Sequence, residues 1–160
     1  MVIEVKSGRR DKFEYNSEWE AFVLNRVIPS SVVFPVEYGF VPQTYADDCD
    51  PLDIMALSYE PLEVGAIAKV HVIGMLVMED EKGLDYKILS VLLNDLRFSG
   101  FTDLSAVPEY RLKEIAEFFT TYKRLEQTRW AKVQGWQGPK EAGEVVLAAM
   151  KSYKKLNKTS

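Results

Sequence analysis

The 160-residue sequence contains one cysteine, one histidine and no long apolar segment. Cys49 alone cannot form a disulfide within the chain, which favours a reducing compartment. No apolar run approaches the ~20 residues of a membrane-spanning helix. The first ten residues, MVIEVKSGRR, lack the apolar centre of a secretory signal. We therefore expect a cytoplasmic protein with no membrane partner.

The sequence also has no excess of basic residues. It carries 20 Lys and Arg against 24 Asp and Glu, a net charge of -4, whereas dedicated nucleic-acid binders are usually basic. The Walker A pattern G-x-x-x-x-G-K-[ST] is absent, which argues against a P-loop nucleotide enzyme. From this charge balance we expect no nucleic-acid partner. Because the length is typical of one domain, we predict a single domain over residues 1–160.

The charges that are present are distributed unevenly. Residues 1–120 hold 21 acidic and 11 basic side chains, while residues 121–160 hold three acidic and nine basic ones. The acidic side chains are concentrated further in two short windows, Asp47–Asp53 and Glu79–Asp85. Solvated surface charge is usually spread more evenly, so these windows are the first candidates for a functional site.

The hydrophobic pattern predicts an α+β fold that is mainly β. Short alternating or apolar runs broken by Gly, Pro, Asn and Asp indicate strands up to about residue 100, and Gly74 within the run 66–78 indicates a bulge or bend. Two helical patterns follow, beginning at Pro108 and Pro139, with a short strand at 130–136 between them. We predict a small antiparallel barrel of about five to seven strands covered by two C-terminal helices.

The first acidic window has the spacing of a cation site. In DDCDPLD, Asp48, Asp50 and Asp53 fall between a turn and a predicted strand. Three carboxylates this close repel one another unless a cation neutralises them, and hard ions such as Mg²⁺ prefer oxygen ligands. Taken by itself, the pattern is equally typical of an acidic loop held in water.

The second window adds carboxylates at another strand end. Asp80, Glu81 and Asp85 surround a glycine turn, and Lys87 follows two residues later. Alone, this pattern is most simply a solvated hairpin. Two acidic clusters at strand ends of one small domain nevertheless favour a shared site for several metal ions.

Charged residues also interrupt the predicted strands. Lys12 and Glu14 alternate with apolar residues and point to one face, while Arg26 and Glu4 break apolar runs. Carboxylates that hold metals, mixed with Lys and Arg, are typical of a site for a phosphate-rich anion.

These motifs together resemble the soluble family I inorganic pyrophosphatases. The resemblance lies in IEVKSGRRDKFEY, VVFPVEYGFVPQTYADDCDPLDIMAL, GMLVMEDEKGLDYKI, EIAEFFTTYKRLE and KVQGW, in the same order and with similar spacing from Ile3 to Trp136. The family signature D-x-D-P-x-D stands at Asp48–Asp53. The resemblance implies a five-stranded OB-like barrel in a cytoplasmic homo-oligomer, with a hexamer favoured. It implies hydrolysis of inorganic diphosphate to two orthophosphates by metal-activated water, with no covalent intermediate.

The resemblance also implies which residues form the site. Several Mg²⁺ ions per site are expected, with Mn²⁺ as a possible substitute, and Glu4 matches a supporting acidic position. The positions that match metal ligands are Asp48, Asp53, Asp80, Asp85, Glu14 and Glu81.

Another set matches the catalytic and substrate-binding positions of the family. Asp50 matches the general base and Tyr38 a tyrosine lining the same cavity; with Lys12 and Arg26 they form the expected catalytic set. The positions expected to bind the phosphoryl oxygens are Lys12, Arg26, Lys87, Tyr122 and Lys123.

Two alternatives stay open at this point. The chain could be an OB-like binding module whose acidic loops hold Ca²⁺ or a basic partner without turnover. It could also be a catalytically weakened relative, because Cys49 replaces the usual small residue of the signature and Phe34 stands where a tyrosine is expected.

Overall fold

The computed structural model describes residues 1–156 and has a mainly β architecture with two helices near the C-terminus, which confirms the predicted α+β class. Residues 157–160 of the domain predicted over 1–160 lie outside the described residues. Neither helix in the described part is long and apolar enough to cross a membrane. The strands are β1 (Val2–Val5), β2 (Asp11–Asn16), β3 (Ala21–Val27), β4 (Glu37–Phe40), β5 (Asp53–Leu57), β6 (Val70–Asp80), β7 (Gly83–Leu92) and β8 (Ala131–Gln137); the helices are α1 (Glu109–Thr121), α2 (Pro139–Leu156) and two short 3-10 turns, Leu96–Phe98 and Leu104–Ala106.

The strands form a mixed sheet and a separate hairpin. Within residues 1–156, the larger sheet has six strands in the order β1-β4-β5-β7-β6-β8, and β2 pairs with β3 alone. Every pair is antiparallel except β5 with β7, so the expected wholly antiparallel arrangement was wrong for this pair. The eight described strands also exceed the five to seven predicted from the hydrophobic pattern and the five of the barrel that the resemblance implies. The long connection 58–69 leads from β5 to β6, which is two positions away in the sheet. The β6–β7 hairpin then brings the chain back, so that β7 lies between β5 and β6.

The sheet is covered on both faces by apolar side chains. Successive residues of β5 alternate between the two faces, with Met55 in the cluster that contains Phe119 of α1. Ile54 lies in the opposite cluster, with Ala142 and Ala149 of α2. Because both faces are buried, β5 is apolar without alternation, which is why its sequence IMAL lacks a polar face.

The bulge predicted at Gly74 is confirmed. The register between β6 and β7 shifts between Val72 and Gly74. A Cβ atom at Gly74 would lie 2.6 Å from Leu104 Cδ2 and 2.8 Å from the Gln137 carbonyl oxygen. Glycine therefore allows the close approach of these neighbours where the strand is irregular.

A carboxyl group outside the acidic windows is buried at the start of β4. Glu37 is fully buried, and its Oε1 accepts a hydrogen bond from the Ser7 amide at 3.3 Å. Its Oε2 has no hydrogen-bond partner among the described residues. Burial raises the pKa of Glu37 above its ordinary value, and the nearby backbone amides of Ser7 and Leu62 and the charge of Lys6 only partly oppose this effect.

We expect Glu37→Gln to stabilise the protein at pH 8 and to lose this advantage toward pH 5. A raised folded-state pKa means that the native protein binds the proton more tightly, so the stability due to Glu37 is complete below the unfolded-state value and is lost as the pH rises through the folded-state value. The measurement is the free energy of urea unfolding of both proteins across this pH range.

Glu63→Gln is the matched control, because Glu63 lies near the same site but its side chain is exposed. A stability difference between Glu37→Gln and wild type that does not change with pH would contradict the assignment.

Candidate functional site

Every residue that the sequence predicts to take part in the functional site lines one open cavity of about 420 Å³, here called the charged basin. Eight carboxylates and six cationic side chains face it, which leaves two negative charges in excess when all are ionised. The carboxylates belong to Glu4, Glu14, Asp48, Asp50, Asp53, Asp80, Glu81 and Asp85; the cations are Lys12, Arg26, Lys82, Lys87, Lys123 and Arg129, and Tyr38 and Tyr122 complete the expected set.

The parallel pairing of β5 with β7 forms the floor of the charged basin. The register pairs Ile54 with Ile88, so that Asp53 at the start of β5 lies beside Lys87 of β7. Asp85 precedes Lys87 by two residues and shares its face of the strand. The register therefore brings the two acidic windows of the sequence to one place.

Lys87 joins the two windows. Its side chain is 5% exposed, and its ammonium group forms ion pairs with Asp53 and, at 2.7 Å, with Asp85. Burial opposes ionisation of Asp53, but Lys87 and then Lys12 outweigh it and hold the pKa of Asp53 below its usual range. Burial opposes the charge on Lys87 too, but the neighbouring acidic groups, Asp53 first, raise its pKa well above the usual value.

Lys123 forms a second part of the charged basin. It is 5% exposed, and its Nζ donates to Asp80 Oδ2 at 2.8 Å and to Glu81 at 3.2 Å. The helical pattern alone predicts a solvated charge here, just after the end of α1. The structure buries it because Tyr122 packs against Phe118 and Phe119, which directs the chain into the charged basin.

The β2–β3 hairpin supplies a third part of the charged basin. Lys12 Nζ lies 2.7 Å from Glu14 Oε1, and Asn25 Nδ2 donates to Glu14 Oε2 at 2.8 Å. The register pairs Lys12 with Arg26 but Phe13 with Leu24, so Asn25 is the extra residue of a bulge. The bulge allows the consecutive residues Asn25 and Arg26 both to line the charged basin, which a regular strand would not.

The signature loop closes the rim. The Asp50 amide donates to Asp48 Oδ1 at 3.2 Å, and Asp50 Oδ2 lies 3.0 Å from Lys82 Nζ. Asp50 and Lys82 are both exposed, so this ion pair is weak and easily exchanged. Cys49 has φ +70°, a left-handed conformation that favours glycine.

Two tyrosines and one glutamate give the charged basin further hydrogen-bonding capacity. Burial, and then the Asp53 charge, raise the pKa of Tyr38 well above its usual value, and burial raises the pKa of Tyr122 as well. Both phenols therefore stay protonated donors at neutral pH. Burial raises the pKa of Glu4 to about 7 although Lys12 opposes this effect, so Glu4 can hold or release a proton near neutrality.

The donor set of the charged basin fits hard divalent cations. Its most numerous potential ligands are the oxygens of eight carboxylates, which such ions prefer. Among residues 1–156, no three acidic, histidine or cysteine side chains converge as the ligands of one ion do. The carboxylates instead turn toward lysines: Asp53 and Asp85 to Lys87, and Asp80 to Lys123. The excess of negative charge makes an additional cation favourable there.

Sequence reasoning missed three charged or amide side chains of the charged basin. Asn25 could not be found, because its position depends on the hairpin bulge. Lys82 stands inside the second acidic window, and Arg129 within the basic last quarter of the chain. Both patterns indicated charge, but neither indicated which side chains reach the cavity.

Comparison with known proteins identifies one family. The model of the inorganic pyrophosphatase family matches residues 1–154. An inorganic pyrophosphatase from Thermus thermophilus is 46% identical over 156 residues, which is 96% of this chain and 89% of the relative. One from Methanosarcina mazei is 41% identical over 160 residues, which is 100% of this chain and 94% of the relative.

The similarity extends to solved structures. The crystal structure of the Thermus thermophilus inorganic pyrophosphatase aligns with a TM-score of 0.94 and 46% identity, covering 96% of this chain and 90% of that one. The Helicobacter pylori inorganic pyrophosphatase aligns with a TM-score of 0.93 and 35% identity, covering 96% and 91%.

We expect Lys87→Met to lower the free energy of unfolding by about 3–5 kcal/mol in EDTA at pH 7.5, because it leaves Asp53 and Asp85 without their buried cation. Lys82→Met is the matched control; its partner Asp50 is exposed, so the loss should stay below about 1 kcal/mol. Urea unfolding measures both. Equal losses would show that Lys87 does not stabilise the buried carboxylates.

We expect Cys49→Gly to stabilise the protein by about 0.5–1 kcal/mol. A left-handed non-glycine residue costs about 1–2 kcal/mol, and the greater unfolded-state entropy of glycine offsets about 0.5–1 kcal/mol of the gain. Cys49→Ala keeps the Cβ atom and serves as the control, with no comparable gain in thermal unfolding. If the two variants gain equally, the backbone conformation of Cys49 is not the cause.

Proposed function

The chain belongs to the inorganic pyrophosphatase family and hydrolyses inorganic diphosphate to two orthophosphates, and we propose that the charged basin performs this reaction with Mg²⁺. The observation that carries the proposal is the convergence of eight carboxylates and six cationic side chains on one cavity. A polyanionic substrate needs cations to bind, and an excess of carboxylates serves to hold cations that the chain itself lacks.

The carboxylates of the charged basin would hold the metal ions. Their carboxylates are available as oxygen ligands for Mg²⁺, with Mn²⁺ as a possible substitute because it favours the same ligands. Bound divalent cations neutralise phosphate oxygens and make a nearby water more acidic. The residues proposed to hold them are Asp48, Asp53, Asp80, Asp85, Glu14 and Glu81.

Asp50 is proposed to accept the proton of the attacking water. It lies on the rim of the charged basin, close to the proposed ligand Asp48, and its partner Lys82 is exposed. A surface ion pair of this kind costs little to open. The carboxylate can therefore turn toward the water as a general base, and no covalent bond between enzyme and phosphate is needed.

The cationic side chains of the charged basin are proposed to bind the phosphoryl groups. With Asp85 and Asp80 engaged as metal ligands, the ammonium groups of Lys87 and Lys123 would be available to donate to phosphate oxygens. Lys12 and Arg26 approach from the hairpin on the other side. Tyr38 and Tyr122, which stay protonated, add neutral donors between them.

We propose that the chain works in the cytoplasm as one domain that assembles into a homo-oligomer, with a hexamer favoured. The free and exposed thiol of Cys49 is compatible with a reducing compartment. Exposed apolar side chains, including Ile67 in the connection 58–69 and Leu147 of α2, provide surface that assembly would cover.

The purified protein should release orthophosphate from diphosphate in the presence of Mg²⁺ and stop when EDTA is added. Asp50→Asn removes the proposed base while keeping the size of the side chain, and should lower kcat on the order of 10²- to 10⁴-fold. A colorimetric phosphate assay measures both effects.

Asp47→Asn is the matched control, since Asp47 is exposed, stands in the same acidic window and does not line the charged basin. It should retain nearly full activity. Absence of phosphate release by the metal-loaded protein would leave ion binding without turnover as the function. Full activity of Asp50→Asn would exclude Asp50 as the base.

A further inference from the structure

A glutamate outside the expected site contacts two arginines that line the charged basin. Glu126 lies between α1 and β8, and its side chain is 14% exposed. Its Oε1 lies 3.3 Å from Arg26 Nε, and its Oε2 lies 3.4 Å from Arg129 Nε. Arg26 and Arg129 both line the charged basin, whereas Glu126 does not.

The contact fixes one edge of the Arg26 guanidinium group. Arg26 Nε and Glu126 Oε1 are buried and have no hydrogen-bond partner among the described residues, so they attract each other by charge at close range. Of the terminal nitrogens, Nη1 donates to Asn25 Oδ1 at a long 3.5 Å. Because Glu126 occupies the Nε edge, the pair of terminal nitrogens, which matches phosphate geometry, stays available.

The same contact connects two separate parts of the fold. Arg26 lies in the two-stranded hairpin, apart from the larger sheet. Among the ion pairs of residues 1–156, only Arg26–Glu126 connects this hairpin to the C-terminal half of the chain. The Glu126 amide donates to the Lys123 carbonyl at 2.9 Å, so the turn that presents Lys123 also holds Arg26.

We propose that Glu126 is a positioning residue for diphosphate, acting through Arg26. The proposal rests on the proposed function, in which Arg26 binds a phosphoryl group. Glu126 holds the guanidinium at a fixed distance from Lys123, so that the two cations reach opposite ends of one small polyanion. One carboxylate between two guanidinium groups leaves a net positive charge, so positioning does not neutralise the attraction for the substrate.

Removing the carboxylate has two opposing effects. It adds one positive charge to the local balance, which favours anion binding, and it releases a long side chain whose ordering must then be provided by the substrate. Both side chains are largely buried, so the added charge is only partly screened. The freed guanidinium, however, no longer holds its terminal nitrogens toward the substrate, and this loss of geometry acts on every direct contact with phosphate. We therefore expect weaker binding.

The test compares Glu126→Gln, Arg26→Gln and the double variant in steady-state kinetics with Mg²⁺ and diphosphate. Glu126→Gln should raise KM on the order of tenfold with a much smaller change in kcat, because Arg26 binds the substrate before and during reaction. In the Arg26→Gln background, Glu126→Gln should have no further effect on KM. A merely structural role would lower stability and activity in both backgrounds.

Glu126→Asp keeps the charge, should recover part of the lost affinity, and provides a second variant if Glu126→Gln does not fold. If Arg26→Gln raises KM but neither Glu126 variant does, or if the effects of the two sites are additive, the positioning role is overturned while the proposed function stands. If Arg26→Gln leaves KM unchanged, the assigned role of Arg26 is wrong and the positioning role is wrong with it.

Discussion

Carboxylates that face one small, partly buried cavity repel one another, and each needs a cation close by. The charged basin meets this requirement with lysines and arginines drawn from distant parts of the chain. Lys87 lies between Asp53 and Asp85, and Lys123 between Asp80 and Glu81. The cations are fewer than the carboxylates, and this deficit is the physical reason for expecting metal ions there.

Several features of the fold serve to bring these charges together. The parallel pairing of β5 with β7 places Asp53 beside Lys87. The bulge at Asn25 directs Arg26 into the same cavity. The aromatic packing of Tyr122 at the end of α1 turns Lys123 inward, and the following turn carries Glu126 to Arg26. The main apolar clusters lie on the two faces of the sheet and hold these positions fixed.

Local periodicity was sufficient for both helices and for most of the strands, and short motifs such as DDCDPLD indicated the acidic residues. The prediction of five to seven strands fell short of the eight described, because the short β4 (Glu37–Phe40) has no strand pattern of its own. The sequence could not show that β5 pairs with β7, because that pairing depends on the path of the connection 58–69. The bulge at Asn25 and the burial of Lys123 likewise depend on contacts between distant segments. The resemblance to a family predicted a binding role for Lys123, whereas the contacts of Glu126 with Arg26 and Arg129 depend on the folded structure.

The dependence of the charged basin on added cations can be tested by locating them. Crystals of the protein soaked in Mn²⁺ would be measured near the manganese absorption edge, where anomalous scattering identifies the ions. We expect anomalous peaks within ligand distance of Asp53 and Asp85, together with neighbouring carboxylates of the charged basin. Fully occupied Mn²⁺ at other sites, with no peak in the charged basin and with Asp53 and Asp85 bound only to Lys87, would contradict the interpretation.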